Sequence, residues 1–102
     1  MITYSCRVLN TDAVPDKDGD IFAPDGVSFN DEVKVYRSFD TGRTSEVLGH
    51  ARLEKVEGGI DAHMTFYGEL PVGMYPAIGG VALERQDHNI TKSIIMEIAC
   101  TP

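Results

Sequence analysis

The chain has 102 residues, of which 42% are hydrophobic, and a net charge of -7. This length predicts a single domain, residues 1–102, that can bury one core. The acidic charge disfavours nucleic acid and anionic membrane surfaces as partners, because both require a basic patch.

The N-terminal part of the chain combines one strand with a long polar loop. Residues 2–9 alternate between apolar and polar, which predicts a half-buried strand. The side chains expected on its apolar face are Ile2, Tyr4, Cys6 and Val8. Residues 10–26 form a polar loop from which Ile21 and Phe22 dock on the core. Residues 27–32 could hold one helical turn, and residues 33–36 a short strand.

The middle of the chain predicts a β-hairpin. Its arms are residues 46–56 and 59–67, and Glu57, Gly58 and Gly59 join them in a tight turn, because glycine reaches positive φ without steric cost. The second arm alternates with a period of two, which is typical of a strand with one buried face. The residues expected on that face are Ile60, Ala62, Met64 and Phe66.

The C-terminal part predicts two more strands. Residues 68–76 are broken by two prolines and could hold only a helical turn. Residues 78–84 form a strand with a kink or bulge at Gly79 and Gly80, and residues 85–89 a turn. The last strand covers residues 90–100, with Ile90, Ile94, Met96 and Ile98 expected on one face. The pattern predicts an all-β fold with at most one or two short helical turns, a small antiparallel barrel or sandwich.

The two cysteines, Cys6 and Cys100, lie near opposite ends of the chain. They could form a disulfide if the terminal strands pair. We expect reduced, buried thiols instead, because the N-terminus lacks the features of a signal peptide. No apolar run approaches the roughly 20 residues of a membrane span. No cofactor is expected, since the sequence has no P-loop, dinucleotide fingerprint or CxxC pair.

A short acidic loop offers the candidate metal ligands Asp16, Asp18 and Asp20. Oxygen ligands at alternate positions beside a glycine are what a calcium loop supplies. If Gly19 is set at the glycine position, Val14 falls where the first carboxylate belongs and Asp25 at the twelfth position. The sequence therefore favours a solvated turn and leaves a partial calcium site as the alternative.

Histidine pairs and hydroxyls give two further candidate sites. His50 and His63 lie on opposite arms of the hairpin and could share a metal with Glu54 or Asp61, although a polar, solvent-facing surface is the favoured interpretation. The candidate nucleophilic hydroxyls are Ser38, Ser45 and Ser93, and none of them sits in a Gly-x-Ser-x-Gly elbow. A residual hydrolase would need a pair such as Ser38 and His50.

Several segments of the chain form a set of motifs with a characteristic order and spacing. The first is residues 16–26, DKDGDIFAPDG, in the loop after the first strand, and the second is residues 35–40, VYRSFD, at the end of a strand. A glycine-containing hairpin, the AIGG motif at residues 77–80 and the closing IMEIA strand at residues 95–99 follow. In this order the segments resemble the prohead (capsid maturation) proteases of tailed bacteriophages, in which the second segment carries the catalytic histidine motif.

The departures from this family remove its chemistry. The resemblance places Phe39 at the histidine position and Ala77 at the serine nucleophile position. Phenylalanine accepts no proton and alanine has no oxygen, so no peptidase activity is expected. Glu97 of the closing motif is kept. We expect it to serve structure rather than chemistry, with Arg37, Arg52 or Lys92 as its partner.

The resemblance implies a truncated, catalytically inactive relative that acts as a phage structural or capsid-assembly accessory protein. Its implied partners are proteins, either capsid components or further copies of itself, and a homo-oligomer is expected because a truncated barrel leaves open strand edges. Its implied location is the virion or the cytoplasm of the infected host cell. The alternatives are a small calcium-binding module and a residual hydrolase.

Overall fold

The computed structural model describes residues 1–37 and 46–102, and the regular structure in these residues is entirely β-strand. The strands in chain order are β1 (Ile2–Asn10), β2 (Ile21–Phe22), β3 (Val27–Tyr36), β4 (Val47–Val56), β5 (Gly59–Phe66), β6 (Tyr75–Gln86) and β7 (Asn89–Thr101). They form one seven-stranded sheet that curls into a half-barrel. The predicted all-β fold is confirmed.

The order of the strands leaves β1 and β6 at the two edges. The sheet runs β1-β5-β4-β3-β7, and β6 pairs along the other side of β7. The short β2 shares an edge of β7 with β3, and both run parallel to it, whereas the remaining pairs are antiparallel. Because the sheet curls, β1 and β6 approach each other and touch only marginally.

The concave face of the sheet carries the hydrophobic core. The largest side chains that are fully buried are Val35 of β3, Ile60 and Met64 of β5 and Ile98 of β7, and Ala51 and Leu53 of β4 are buried beside them. Burying each side chain of this size stabilises the fold by about 1.5–3 kcal/mol. The core therefore ties β3, β4, β5 and β7 together, while the edge strands contribute partly buried residues such as Cys6, Val8 and Ile78.

The predicted hairpin is confirmed as β4 and β5. Val56 pairs with Gly59, so that Glu57 and Gly58 form the turn, and Gly58 has a φ of 80°. In β5 the even-numbered residues from Ile60 to Phe66 are buried, and the residues between them are only half-buried. The alternation therefore identified both the strand and its buried face.

The predicted helical turns are absent from the described residues. Residues 27–32 belong to strand β3, because Val27 and Phe29 pair in parallel with Ser93 and Ile95 of β7. Pairing with a strand more than sixty positions away overrides the local capping signal. Residues 68–76 form turns and then the start of β6.

The predicted face of the last strand is wrong. Ile90 and Ile98 are buried, at 3% and 0% exposed, whereas Ile94 and Met96 are 37% and 61% exposed. Two bulges cause this difference. Gly79 pairs with Glu97 and Gly80 with Ile95, which leaves Met96 as an extra residue in β7, and Glu84 pairs with Lys92 and Arg85 with Ile90, which leaves Thr91 as another. Each bulge shifts the alternation by one residue. The bulge at Met96 confirms the predicted irregularity at Gly79 and Gly80.

The two cysteines are free thiols on strands that do not pair with each other. Cys100 is buried and Cys6 is half-buried. Burial raises the pKa of both thiols. Thiols with raised pKa values are poor nucleophiles, so these residues act as small core side chains.

Candidate functional site

A cleft of about 530 Å³ opens between β1 and β6 on the concave side of the sheet. Its apolar lining comes from both edge strands and from the sheet floor, and includes Val8, Leu9, Phe22, Ile78, Ile90 and Ile95. Two small residues of β6, Gly80 and Ala82, also line it.

The concave face is also uncovered along β1. Ile2 and Tyr4 lie directly opposite Phe66 and Met64 of β5. Directly opposed residues of an antiparallel pair share a face. Phe66 and Met64 are 2% and 1% exposed, but Ile2 and Tyr4 are 43% and 49% exposed. The outermost strand of the half-barrel therefore presents apolar side chains that nothing in the described chain covers.

The two edge strands differ in how well they are protected against pairing with another chain. β6 contains Pro76 and three register irregularities, which are features that prevent edge-to-edge pairing. β1 contains neither proline nor lysine, and its register is regular from Ile2 to Arg7. The first six residues of β1 are therefore the less protected edge.

The predicted calcium loop is held by its own hydrogen bonds. The Asp16 Oδ1 atom accepts hydrogen bonds from the backbone N–H groups of Asp18 and Asp20, at 2.9 Å each. The Asp16 N–H donates to the Asp20 carbonyl, and the Gly19 N–H donates to the Asp16 carbonyl. These bonds satisfy the turn with Asp16 as an Asx-type acceptor.

The side-chain carboxylate of Asp20 forms hydrogen bonds with Arg85 and His88 rather than with the other aspartates of the loop. Arg85 donates to both carboxylate oxygens, at 2.9 and 3.2 Å, and the His88 Nδ1 atom lies 3.2 Å from Oδ1. The Arg85 hydrogen bonds lower the pKa of Asp20, and His88 adds to the effect. The described residues contain no cluster of metal-ligating side chains, so the three aspartates do not converge on a common point.

Of the two catalytic positions implied by the family resemblance, the described residues include Ala77, which lines the cleft. Ala77 is half-buried on β6, opposite Ala99 of β7. Phe39 lies outside the described residues, as do Ser38 and Ser45. Ser93 is buried in the floor of the cleft, at 6% exposed, and its N–H donates to the carbonyl of Gly26.

Glu97 is buried without the partner that we expected. It is 8% exposed, and no donor within the described residues reaches its Oε2 atom. Two of the three predicted partners lie beside other carboxylates: Arg37 pairs with Glu46, and Lys92 lies 3.9 Å from Glu84. Desolvation raises the pKa of Glu97.

The missing side chain of Gly79 makes room for Glu97. A Cβ atom at Gly79 would lie 2.6 Å from the Glu97 Cγ atom. The carboxylate is thus packed against the β6 backbone, which explains both its burial and the glycine opposite it.

Replacing Glu97 with glutamine is expected to raise the free energy of unfolding by about 1 kcal/mol at pH 7, because the amide has no charge to desolvate. The raised pKa means that the folded state binds the proton more tightly than the unfolded chain. The wild type therefore loses stability as the pH rises through the folded-state pKa of Glu97. The advantage of the variant should disappear below about pH 4, where Glu97 is protonated in both states.

The measurement is the free energy of unfolding in urea, for wild type and Glu97→Gln, at pH 7 and again below about pH 4. Glu69→Gln is the matched control, since Glu69 is exposed and the same charge is lost. A loss of stability in Glu97→Gln at pH 7 would contradict this prediction, because it would require a favourable partner for the carboxylate.

The convex face of β1, β5 and β4 carries a hydrogen-bonded chain that the sequence did not reveal. The Ser5 Oγ atom lies 2.8 Å from His63 Nδ1, and His63 Nε2 lies 3.0 Å from Glu54 Oε1. Ser5 pairs directly with His63 across β1 and β5. The alternation of apolar and polar residues predicted that Ser5 and His63 each lie on the polar face of a strand. No local sequence motif, however, indicates that β1 pairs with β5.

The predicted metal pair of His50 and His63 is not assembled. The His50 Nδ1 atom is 3.1 Å from the Tyr67 hydroxyl, and the two rings are 5.6 Å apart. Both ring nitrogens of His63 are engaged by Ser5 and Glu54. The surface of the hairpin is polar and half-exposed, which agrees with the favoured interpretation from the sequence.

Comparisons with protein-family models, curated proteins and solved structures found no match to this chain. In residues 1–37 and 46–102 no helix has the length and apolar character needed to cross a membrane.

Proposed function

We propose that this chain is a non-catalytic phage structural protein, prohead-protease-like in fold, that takes part in capsid assembly by pairing with a second copy of itself. It would act in the virion or in the cytoplasm of the infected host cell. The single observation that carries the proposal is the uncovered apolar edge at β1, where Ile2 and Tyr4 are 43% and 49% exposed beside a buried core.

A second copy is the occupant that suits this edge best. An unprotected strand presents free backbone donors and acceptors that another strand can pair with. Two identical edges related by a two-fold axis pair antiparallel, and the β1 strand of each copy then supplies hydrogen-bond partners for the backbone of the other. Such pairing would join two half-barrels into one continuous sheet. It would also bring the exposed Ile2 and Tyr4 side chains of the two copies together.

The charge of the chain sets the conditions for this association. A net charge of -7 makes two copies repel each other. Salt screens that repulsion, with a Debye length of about 8 Å at physiological ionic strength. We therefore expect self-association to strengthen with added salt, whereas an interface held together by ion pairs would weaken.

Tyr4→Lys is expected to convert the protein from a dimer to a monomer, because an inward lysine at a strand edge is a natural block to pairing. Tyr4 is already 49% exposed, so the fold should survive the change. Tyr75→Lys is the matched control, since Tyr75 is 71% exposed on the other edge strand and the charge change is the same. The measurement is molar mass by light scattering across a concentration series.

A dimeric wild type, a dimeric Tyr75→Lys and a monomeric Tyr4→Lys would support the proposal. A wild type that stays monomeric at every concentration and salt would overturn it. A Tyr4→Lys variant that still dimerises would overturn the assignment to β1.

We expect no cleavage of unfolded protein substrates or of the chain itself, because the resemblance puts Ala77 and Phe39 at the nucleophile and base positions. The measurement is incubation with a denatured substrate, followed by mass spectrometry of the products. Cleavage that disappears when one serine or cysteine of this chain is replaced would refute the non-catalytic assignment.

The alternative of a calcium-binding module is less well supported. Both carboxylate oxygens of Asp20 accept hydrogen bonds from Arg85, and Asp16 Oδ1 already accepts two backbone N–H groups. A calcium ion would have to displace an arginine whose charge already neutralises the site. The geometry of the loop therefore favours a structural turn that ties it to the β6–β7 hairpin.

A further inference from the structure

Ser5, His63 and Glu54 form a hydrogen-bonded chain of hydroxyl, imidazole and carboxylate on the convex face of the sheet. The two distances, 2.8 Å from Ser5 Oγ to His63 Nδ1 and 3.0 Å from His63 Nε2 to Glu54 Oε1, are both within hydrogen-bonding range. A nucleophile beside a base that a third group orients is the arrangement required for covalent catalysis. The three residues come from three adjacent strands, so the arrangement rests on regular sheet structure.

The carboxylate determines which nitrogen of neutral His63 carries the proton. An ionised Glu54 can only accept, so the Nε2 atom must donate its N–H to Glu54 Oε1. The Nδ1 lone pair is then left facing the Ser5 hydroxyl, which donates to it. This is the tautomer in which His63 can take the proton of Ser5.

The site is open to solvent on the convex face of the sheet. Ser5 is exposed, and the side chains of His63 and Glu54 are 32% and 49% exposed. Ser5 points away from the face that carries Ile2 and Tyr4, because successive residues of a strand alternate. Arg52 pairs with His63 on the same face and adds positive charge near the reacting groups.

The geometry points to Ser5 as an activated nucleophile that accepts acyl groups from small activated esters. In this step the Ser5 Oγ atom bonds to the ester carbonyl carbon and the bond to the leaving alkoxide breaks. His63 Nδ1 takes the hydroxyl proton and passes it to the leaving group. Water, deprotonated by the same nitrogen, then hydrolyses the acyl-serine and regenerates Ser5.

This inference goes beyond the proposed assembly role, and it confines the absence of catalysis proposed above to peptide cleavage. It uses none of the positions that the family resemblance assigns to peptide cleavage. An open convex face offers no cleft to hold an extended polypeptide. Compounds whose leaving group departs easily need the least additional stabilisation, so they are the class that such a site can use.

The experiment is covalent labelling of the full chain by a fluorophosphonate, followed by peptide mapping. The Ser5 Oγ atom forms a bond to phosphorus, fluoride leaves, and His63 takes the proton. We expect one label per chain at Ser5 and none in Ser5→Ala. Glu54→Gln and His63→Gln should label at least about tenfold more slowly, since a positioned base contributes at least that factor.

Two matched controls separate activation from simple exposure. Ser28→Ala removes an exposed serine of β3 and should label at the wild-type rate. His50→Gln removes the histidine that bonds Tyr67 on the same face and should also leave labelling unchanged. Thermal unfolding of each variant shows whether the sheet is intact.

Each alternative result overturns the inference. Wild type that takes no label shows that the chain of hydrogen bonds only stabilises the pairing of β1 with β5. A label that is unaffected in a folded His63→Gln variant shows that the histidine does not activate Ser5. The oligomeric state is read out separately, so failure here leaves the assembly proposal intact.

Discussion

Replacing Gly49 with alanine is expected to destabilise the protein by about 3 kcal/mol or more. Gly49 lies in the central strand β4, paired with Val35 on one side and Phe66 on the other. A Cβ atom there would lie 1.9 Å from the Thr65 carbonyl oxygen and 2.9 Å from its carbon. The obstacle is backbone of the adjacent strand, so no side-chain rotation relieves it, and β4 and β5 must separate.

Gly68→Ala is the matched control for this prediction. A Cβ atom at Gly68 meets nothing within 4 Å, and its φ is not positive. The same methyl group should therefore change stability by no more than about 0.5–1 kcal/mol, in the favourable direction. Thermal unfolding should place Gly49→Ala roughly 10 °C or more below the wild type. Equal midpoints for the two variants would show that β4 and β5 do not approach as closely as described.

The parts of the fold that the sequence predicted are those set by local pattern. Gly58, with its positive φ, and the alternation from Ile60 to Phe66 lie within a few residues of each other. The segment at residues 27–32 was assigned wrongly because its strand character depends on pairing with β7, far along the chain. Local capping residues such as Ser28 carry no information about that partner.

The candidate sites depend even more on distant pairing. The hydrogen-bonded chain needs Ser5 opposite His63, residues 58 positions apart. Strand alternation showed that each faces away from the core, but the register that joins them is a property of the assembled sheet. The open edge at β1 likewise follows from the order of the strands in the sheet, and no local sequence motif predicts that order.

Ile98→Ala is expected to lower the free energy of unfolding by about 2–5 kcal/mol, the range for deleting a buried aliphatic side chain. Ile98 is 0% exposed and pairs with Val35 of β3 and Ile78 of β6. The surrounding strands are paired on both sides, so the sheet cannot easily collapse into the cavity. Most of the lost contact should therefore remain as destabilisation.

Ile94→Ala is the comparison for Ile98→Ala, because it removes the same atoms from the same strand at a position that is 37% exposed. We expect a loss of about 1 kcal/mol or less there, because much of the side chain is already in water. A regular strand would put Ile94 and Ile98 on one face and make the two losses similar. The extra residue Met96 is what places Ile94 and Ile98 on opposite faces of β7. Urea unfolding of the two variants therefore measures the bulge directly, and equal losses would show that β7 runs without it.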